Sequence, residues 1–421
     1  MIKQKILKYR YLLLILFMAL FFLLILPRYF FVHDQITFAR WTDWIIQDGM
    51  VNIYKHNEVN YLPAYLYVLE GFGYWAKNYQ TVFVNLYYLK IIPLFFDFGA
   101  VLLVYKILGK LKLPQNRILL LVLNIAFFYN TLFWGQIDSV HTFFLFLTFY
   151  LLLEKKFLFA VLAYITAINI KYQSLIYAPI ILMILLPGIL KNPKVILKYF
   201  FAGLGAQILL LFPYLARGGD LTILFNVIKN SVGFYPYISM NAFNLWFIVV
   251  GPGKAWTSDT QTFFFFSYRI WGYVLFGIGY ILALIPLFRI FLKKLKTKEL
   301  FDWKNLNVIA LSFILSTYSF FYFTTQMHER YIHPALIFTA LWALVNRKYA
   351  FYLLMSLGYF LNMEKILEFL PINHEAIVIF SSRITAVILG AGLVLGYYYL
   401  YQKEFSDLFR KIKPSKTIIN K

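Results

Sequence analysis

Gln326-Met327-His328-Glu329-Arg330-Tyr331 separates two long apolar runs, one starting near Leu306 and the next near Ile332. An α-helix needs roughly 20 predominantly apolar residues to cross a bilayer, which is about the length of these runs. A charged side chain at the bilayer centre costs about 2.5–3.5 kcal/mol on insertion scales. Three chargeable groups in a row therefore belong at a membrane boundary, and ionisable groups at such depth are functional suspects by default. The segment reads as two membrane spans joined by a polar turn suited to an anionic, lipid-embedded ligand.

Working outward, the same reading repeats along the chain. About twelve spans begin near Tyr11, Asn85, Arg117, Ser139, Phe157, Ser174, Val195, Tyr268, Leu306, Ile332, Tyr349 and Ala376. The composition agrees: 62% of the 421 residues are hydrophobic and only 14% charged, outside the globular balance. The expected class is an all-α polytopic membrane protein forming one domain over residues 1–421. No internal repeat is evident, and the short inner loops leave no room for a soluble domain. With no cysteine, disulfides and Cys-ligated metals are excluded. The N-terminal apolar run follows Lys3, Lys5, Lys8 and Arg10, is too long for a signal-peptide core, and reads as a retained first span.

The net charge of +22 does not point to nucleic acid, because the cations fall in short loops between apolar runs. Lys106, Lys110, Lys112 and Arg117 form one such group. Others are Lys155 with Lys156; Lys191, Lys194 and Lys198; Arg289 through Lys304; Arg347 with Lys348; and the tail from Lys403. The positive-inside rule makes these cytoplasmic, together with both termini of a multi-pass cell-membrane protein. Two long external loops follow, at about 32–84 and 215–267. The first carries Asn60-Tyr61-Leu62-Pro63 and then an aromatic, amphipathic stretch to Trp75, read as an interfacial helix.

This topology gathers polar residues at the outer boundary. Asp34 follows the first span. Gln136, Asp138 and His141 lie in and after Trp134-Gly135-Gln136-Ile137-Asp138-Ser139. Lys171 and Gln173 lie at a third turn, and His328, Glu329 and Arg330 at a fourth. Polar turns converging at one depth are what a site between helices needs. Each residue also admits a plainer reading: Asp34 as a solvated carboxylate, Asp138 as a helix cap, and His141 as a packed, hydrogen-bonded core histidine. Lys171 can equally snorkel to head groups, and Arg330 can pair with Glu329 or a lipid phosphate. Asp97, inside the second span, calls for a partner on another helix.

The order of these elements carries a resemblance. Asp after the first span is followed by Asn-Tyr-Leu-Pro, Trp-Gly-Gln-Ile-Asp-Ser, Lys-Tyr-Gln, Asn-Ala-Phe-Asn-Leu-Trp (from Asn241) and Met-His-Glu-Arg-Tyr. This resembles the GT-C superfamily of integral membrane glycosyltransferases over about residues 32–334. It is similar to bacterial mannosyltransferase-like members that use a polyprenyl-phosphate sugar. It is also similar to endoplasmic-reticulum glucosyltransferases fed by dolichyl-phosphate glucose, whose related element reads His-Glu-Lys; Arg330 stands where those have Lys. The resemblance implies a GT-C-like bundle, an external active site, a catalytic aspartate in the first external loop and inversion at the anomeric carbon. Some relatives have two adjacent carboxylates after the first span. Here the pair is His33-Asp34, so no divalent metal is assigned.

The roles expected on that basis are Asp34 as base and Arg330, His328 and Lys171 as holders of the donor phosphate. Gln136, Asp138, Glu329, Trp134 and Asn241 are the expected sugar or acceptor contacts, with an interfacial belt as the other reading of Trp134 and Trp246. No cofactor is expected beyond the lipid-linked donor. Expected partners are membrane lipid and a glycan, lipid or protein acceptor, with no nucleic acid; oligomeric state is open. A flippase or transporter of a lipid-linked sugar is the alternative. Transporters favour midplane polar groups, broken helices and repeats.

Overall fold

The computed structural model describes residues 2–231 and 233–412, with side chains described over 9–231 and 233–404. Helices dominate. In chain order they are α1 (Ile2–Leu24), α2 (Val32–Asp48), α3 (Pro63–Ala76), α4 (Tyr79–Asn85), α5 (Ile91–Lys110), α6 (Leu119–Val122), α7 (Ile125–Tyr129), α8 (Asp138–Leu153) and α9 (Phe157–Ile170). The second half holds α10 (Ala178–Lys191), α11 (Val195–Leu215), α12 (Leu221–Asn230), α13 (Leu245–Val249), α14 (Tyr268–Thr297), α15 (Leu306–Phe323), α16 (His333–Asn346), α17 (Tyr349–Leu367) and α18 (Ser382–Ile412). A two-residue hairpin, Thr262–Phe263 with Phe266–Ser267, precedes α14.

Among the described residues, six helical stretches are long and apolar enough to cross a membrane: Tyr79–Lys110, Tyr172–Lys191, Val195–Leu215, Tyr268–Thr297, Trp303–Phe323 and Ser382–Glu404. A bent pair, Gln115–Val122 with Ile125–Trp134, makes a seventh if it is one span. This is an all-α membrane protein. The expected start points fall on or near helix starts, but several of those helices are short: Asp138–Leu153, Phe157–Ile170 and His333–Asn346 have fewer than 18 residues. Among the described residues, length and hydropathy by themselves identify six or seven of the roughly twelve expected crossings. The remaining expected crossings fall on shorter or less apolar helices, whose polar turns interrupt the apolar runs.

Burial separates the helices into two kinds. α15 and α16 are buried on nearly every face and form the centre with α5, α8 and α17. α11 instead exposes Phe200, Phe201, Leu209 and Phe212 to its surroundings, and α1 exposes Leu13, Phe17 and Leu20. Apolar side chains so exposed in contiguous stripes are solvated by lipid rather than water.

The 50° bend between α6 and α7 has a local cause. Asn124 leaves helical geometry, its Oδ1 accepts from Ala126 N at 3.0 Å, and its Nδ2 donates to Ser356 Oγ at 2.8 Å. α7 then widens into a π-helical turn over Asn130–Trp134 that ends at Gly135, φ +86°. A Cβ there would lie 2.4 Å from the Phe30 ring, so the left-handed turn and the close approach both demand glycine. Buried Lys90 fastens the segment after α1 to this turn by donating to the carbonyls of Pro27 (3.1 Å), Leu132 (2.7 Å) and Tyr29. Phe31 N adds a bond to Trp134 O at 3.2 Å. Asp97 on α5 finds its expected partner here as a hydroxyl rather than a cation, accepting from Thr131 Oγ1 at 2.6 Å.

Candidate active site

Four chain segments meet at one end of the bundle: the start of α2, the turn before α8, the turn after α9, and the loop between α15 and α16. They bring Asp34, Asp138, Lys171 and Arg330 into one cluster. Arg330 Nη1 lies 2.5 Å from Glu329 Oε1 and 4.0 Å from Asp34 Oδ2, and its Nε lies 3.7 Å from Asp138 Oδ2. Lys171 Nζ contacts Asp138 Oδ1 at 2.5 Å. Trp134 Nε1 donates to Asp34 Oδ2 at 2.7 Å.

The cluster adjoins a cavity of about 250 Å3 whose wall includes Asp34, Gln136, Lys171, His328 and Arg330. Glu329, Asp138 and Trp134 stand behind that wall, each no more than 1% exposed. Asn241 does not line it. Its backbone, at φ +69°, bridges to His328, and its carbonyl accepts from Asn362 Nδ2 at 2.8 Å. Asn241 thus supports His328 from behind through the main chain.

Several plainer expectations are corrected. Lys171 is 5% exposed and ion-paired, not snorkelling. Asp138 makes no cap; its carboxylate is taken by Lys171 and faces Arg330. Trp134 is fully buried against Phe31, ring centroids 4.3 Å apart, so it meets Asp34 and no ligand face. Trp246 is likewise buried and donates to Phe323 O at 2.9 Å, so its ring does not face the surroundings as an interfacial belt residue would. His141 is buried, but its Nδ1 has no hydrogen-bond partner among the described residues.

The loop that carries His328 to Arg330 is held by Asp259, which is fully buried. Its carboxylate accepts from Arg269 Nη2 at 2.7 Å, Thr325 Oγ1 at 2.8 Å and Gln326 Nε2 at 2.7 Å. Met240 N donates to Met327 O at 2.9 Å, tying the 233–267 segment to the same loop. Sequence reading gave Asp259 no role, and no local pattern marks it. It also gave none to the aromatic wall of Tyr61, Tyr172, Tyr235 and Tyr331, although Asn60-Tyr61-Leu62-Pro63 and Tyr235-Pro236-Tyr237 stood out as patterns. Tyr235 packs edge-on against His328, ring centroids 5.1 Å apart.

The electrostatics are those of a buried, carboxylate-rich cluster. Three carboxylates (Asp34, Asp138, Glu329) face two fixed cations (Lys171, Arg330). Burial pushes the Glu329 carboxyl up to about 7 even though Arg330 opposes the shift. Burial also pulls the Lys171 ammonium down, against the pull of Asp138. Burial, then Arg330 and Lys171, hold the His328 imidazole well below its ordinary value, so it is neutral at pH 7. Burial opposes charge on Arg330, yet Asp34, Glu329 and Asp138 keep it firmly protonated. Arg330 Nε is buried and makes no hydrogen bond among the described residues, which leaves it donor capacity toward the cluster. Among the described residues, no three His, Asp or Glu side chains are grouped to hold a metal ion, and Asp34 is engaged by Trp134 and Arg330.

No protein-family model matches the chain. No curated protein matches it in sequence.

Proposed function

We propose that this chain is a GT-C-type glycosyltransferase that moves a hexose from a polyprenyl-phosphate donor to an acceptor hydroxyl on the non-cytoplasmic side of the membrane. The observation that carries the reading is that Asp34 and Arg330, nearly 300 positions apart in sequence, face one cavity at 4.0 Å with Lys171 and His328 on the same wall.

In this reaction the acceptor oxygen attacks the anomeric carbon from the face opposite the phosphate. The bond between that carbon and the phosphate oxygen breaks, and its electron pair leaves with the phosphate. The leaving group is a weak base, so no general acid is required, unlike glycoside hydrolysis. The protein supplies a base and charge stabilisation. Trp134 occupies Asp34 Oδ2, and Asp34 Oδ1 is the oxygen that takes the acceptor proton. Arg330 presents a planar fork of donors to the phosphate, with the neutral His328 N–H and the Lys171 ammonium beside it. Losing one such donor typically costs about 2.7–4 kcal/mol of transition-state stabilisation. Since Arg330 already leans on Glu329, donor binding requires Glu329 to yield, and a carboxyl titrating near 7 yields easily.

The test is turnover of synthetic polyprenyl-phosphate mannose, glucose and galactose by the purified protein in nanodiscs. Donor consumption with a new glycosidic product, lost in Asp34→Asn, supports the reading. Translocation of donor without turnover points to the flippase alternative, and a fully active Asp34→Asn removes Asp34 as base.

A further inference from the structure

A second cavity of about 230 Å3 opens beside the first and shares two wall residues with it, Asn60 and Phe234. Its chemistry is different. No lysine, arginine, aspartate or glutamate lines it. Its polar wall is carboxamide: Asn57 and Asn60 from the segment before α3, and Asn226 and Asn230 from α12. Asn226 and Asn230 are four residues apart, so both project from one helix face, together with Ile223 and Val227 of the same wall. The side chains of Asn57, Asn226 and Asn230 make no hydrogen bond within the protein among the described residues, whereas Asn60 meets Tyr235. Tyr54 and Phe234 supply aromatic surface. His56 is held elsewhere, stacked on Trp44 at 3.8 Å and bonded to Asp48 at 2.9 Å.

A carboxamide offers a carbonyl acceptor and two donors, and a hydroxyl both donates and accepts. A wall of carboxamides and aromatic rings without fixed charge therefore matches a neutral, polyhydroxylated ligand with apolar C–H faces. It does not match a phosphate, a carboxylate or an aliphatic chain. We infer that this cavity is the acceptor subsite and that it receives a saccharide, whose hydroxyl reaches past Asn60 and Phe234 toward Asp34. This assignment rests on the glycosyltransferase reading and narrows its acceptor from glycan, lipid or protein to carbohydrate.

The experiment measures binding and transfer separately. Mannobiose, maltose and lactose are offered to the protein in nanodiscs, beside a serine-containing hexapeptide and farnesol, and each is followed by saturation-transfer NMR without donor. At least one disaccharide should show transfer to its ring protons, and its Kd should rise about tenfold or more in Asn226→Leu/Asn230→Leu, which removes two hydrogen-bonding side chains from exposed positions. Asn57→Ala, on the segment before α3, should weaken it in the same direction. Binding of polyprenyl-phosphate hexose should stay unchanged in all variants. Disaccharide binding that survives both substitutions overturns the subsite, as does binding of only the peptide or farnesol. Saccharide binding at these residues without hexose transfer from any donor leaves the subsite standing and sinks the glycosyltransferase reading instead.

Discussion

Trp134 Nε1 donates to Asp34 Oδ2 at 2.7 Å from a fully buried position, fixing one carboxylate oxygen of a residue that lines the cavity. The bond also joins the start of α2 to the π-helical turn before α8. Hydrogen bonds to charged groups are worth about 1.5–3 kcal/mol, a factor of roughly 10–150 in rate when felt only in the transition state. Trp134→Phe keeps an aromatic ring against Phe31 and deletes the N–H. Its kcat should fall within that range while donor KM stays near wild type. Equal turnover in Trp134→Phe would mean that packing alone orients Asp34.

Asp34 and Arg330 should separate chemistry from binding. Asp34→Asn is expected to abolish transfer with donor affinity little changed, because the amide cannot take a proton at that position. Arg330→Ala should weaken donor binding as well as turnover. Arg330→Lys keeps the charge but loses the planar fork, so it should fall between Arg330→Ala and wild type. Equilibrium binding of a non-transferable phosphonate analogue, read beside turnover, checks all three.

Glu329 gives donor binding a pH dependence. It is held at 2.5 Å by Arg330. It also feels the Asp34 charge from α2 and lies beside His328 of its own loop, while Arg330 in turn meets Asp138 of the Lys171–Asp138 pair. A donor phosphodiester that claims Arg330 favours the neutral, protonated Glu329, so binding takes up a proton. Affinity should therefore be highest below pH 7 and decline as pH rises through about 7. Glu329→Gln should flatten that step and keep binding at its low-pH level. Titration of donor affinity from pH 5.5 to 8.5 in both proteins decides it, and an unchanged slope in Glu329→Gln would assign the step to another group.

How much of this was legible in the sequence follows from what each feature depends on. Apolar runs and the clustering of Asp34, Asp138, Lys171 and Arg330 at helix ends are visible because both follow from local composition along the chain. Whether a run crosses completely is not visible, since α8, α9 and α16 are short, and α8 and α16 are buried over most of their length among other helices. Partners are less visible still. Lys171 reads as a head-group lysine until Asp138, from another helix pair, is seen 2.5 Å away. Trp134 reads as a ligand platform until its burial is known. Asp259 and Lys90 carry no local signal, because what they hold lies many residues distant in the chain.

The Lys171–Asp138 pair should be far more sensitive to losing one member than to losing both. Removing one partner of a buried ion pair costs about 3–5 kcal/mol because the other charge stays buried, whereas well-packed apolar replacement of both is often neutral. Lys171→Met leaves Asp138 with Arg330 at 3.7 Å as its remaining cation, which softens the loss without cancelling it. Lys171→Met should lower the thermal unfolding midpoint markedly, and Lys171→Met/Asp138→Leu should recover much of it. A double variant as unstable as the single one would show that Asp138 matters to folding apart from Lys171.

Gly135 tests whether the turn itself aims Trp134 at Asp34. Two costs meet at this position. An L-residue in the left-handed region costs roughly 1–2 kcal/mol, and a new Cβ would sit 2.4 Å from the Phe30 ring. Phe30 cannot retreat freely, because it is 3% exposed and its own segment is tied down by Lys90. Gly135→Ala should therefore lower both the unfolding midpoint and kcat, the second because the turn ends one residue after Trp134. Phe30→Leu in the same chain opens room for the methyl group and leaves the backbone strain untouched. A double-mutant cycle should accordingly show a favourable coupling between the two substitutions, with stability and kcat recovering only in part. Additive effects would place the cost wholly in the backbone and free Phe30 from any part in setting the turn.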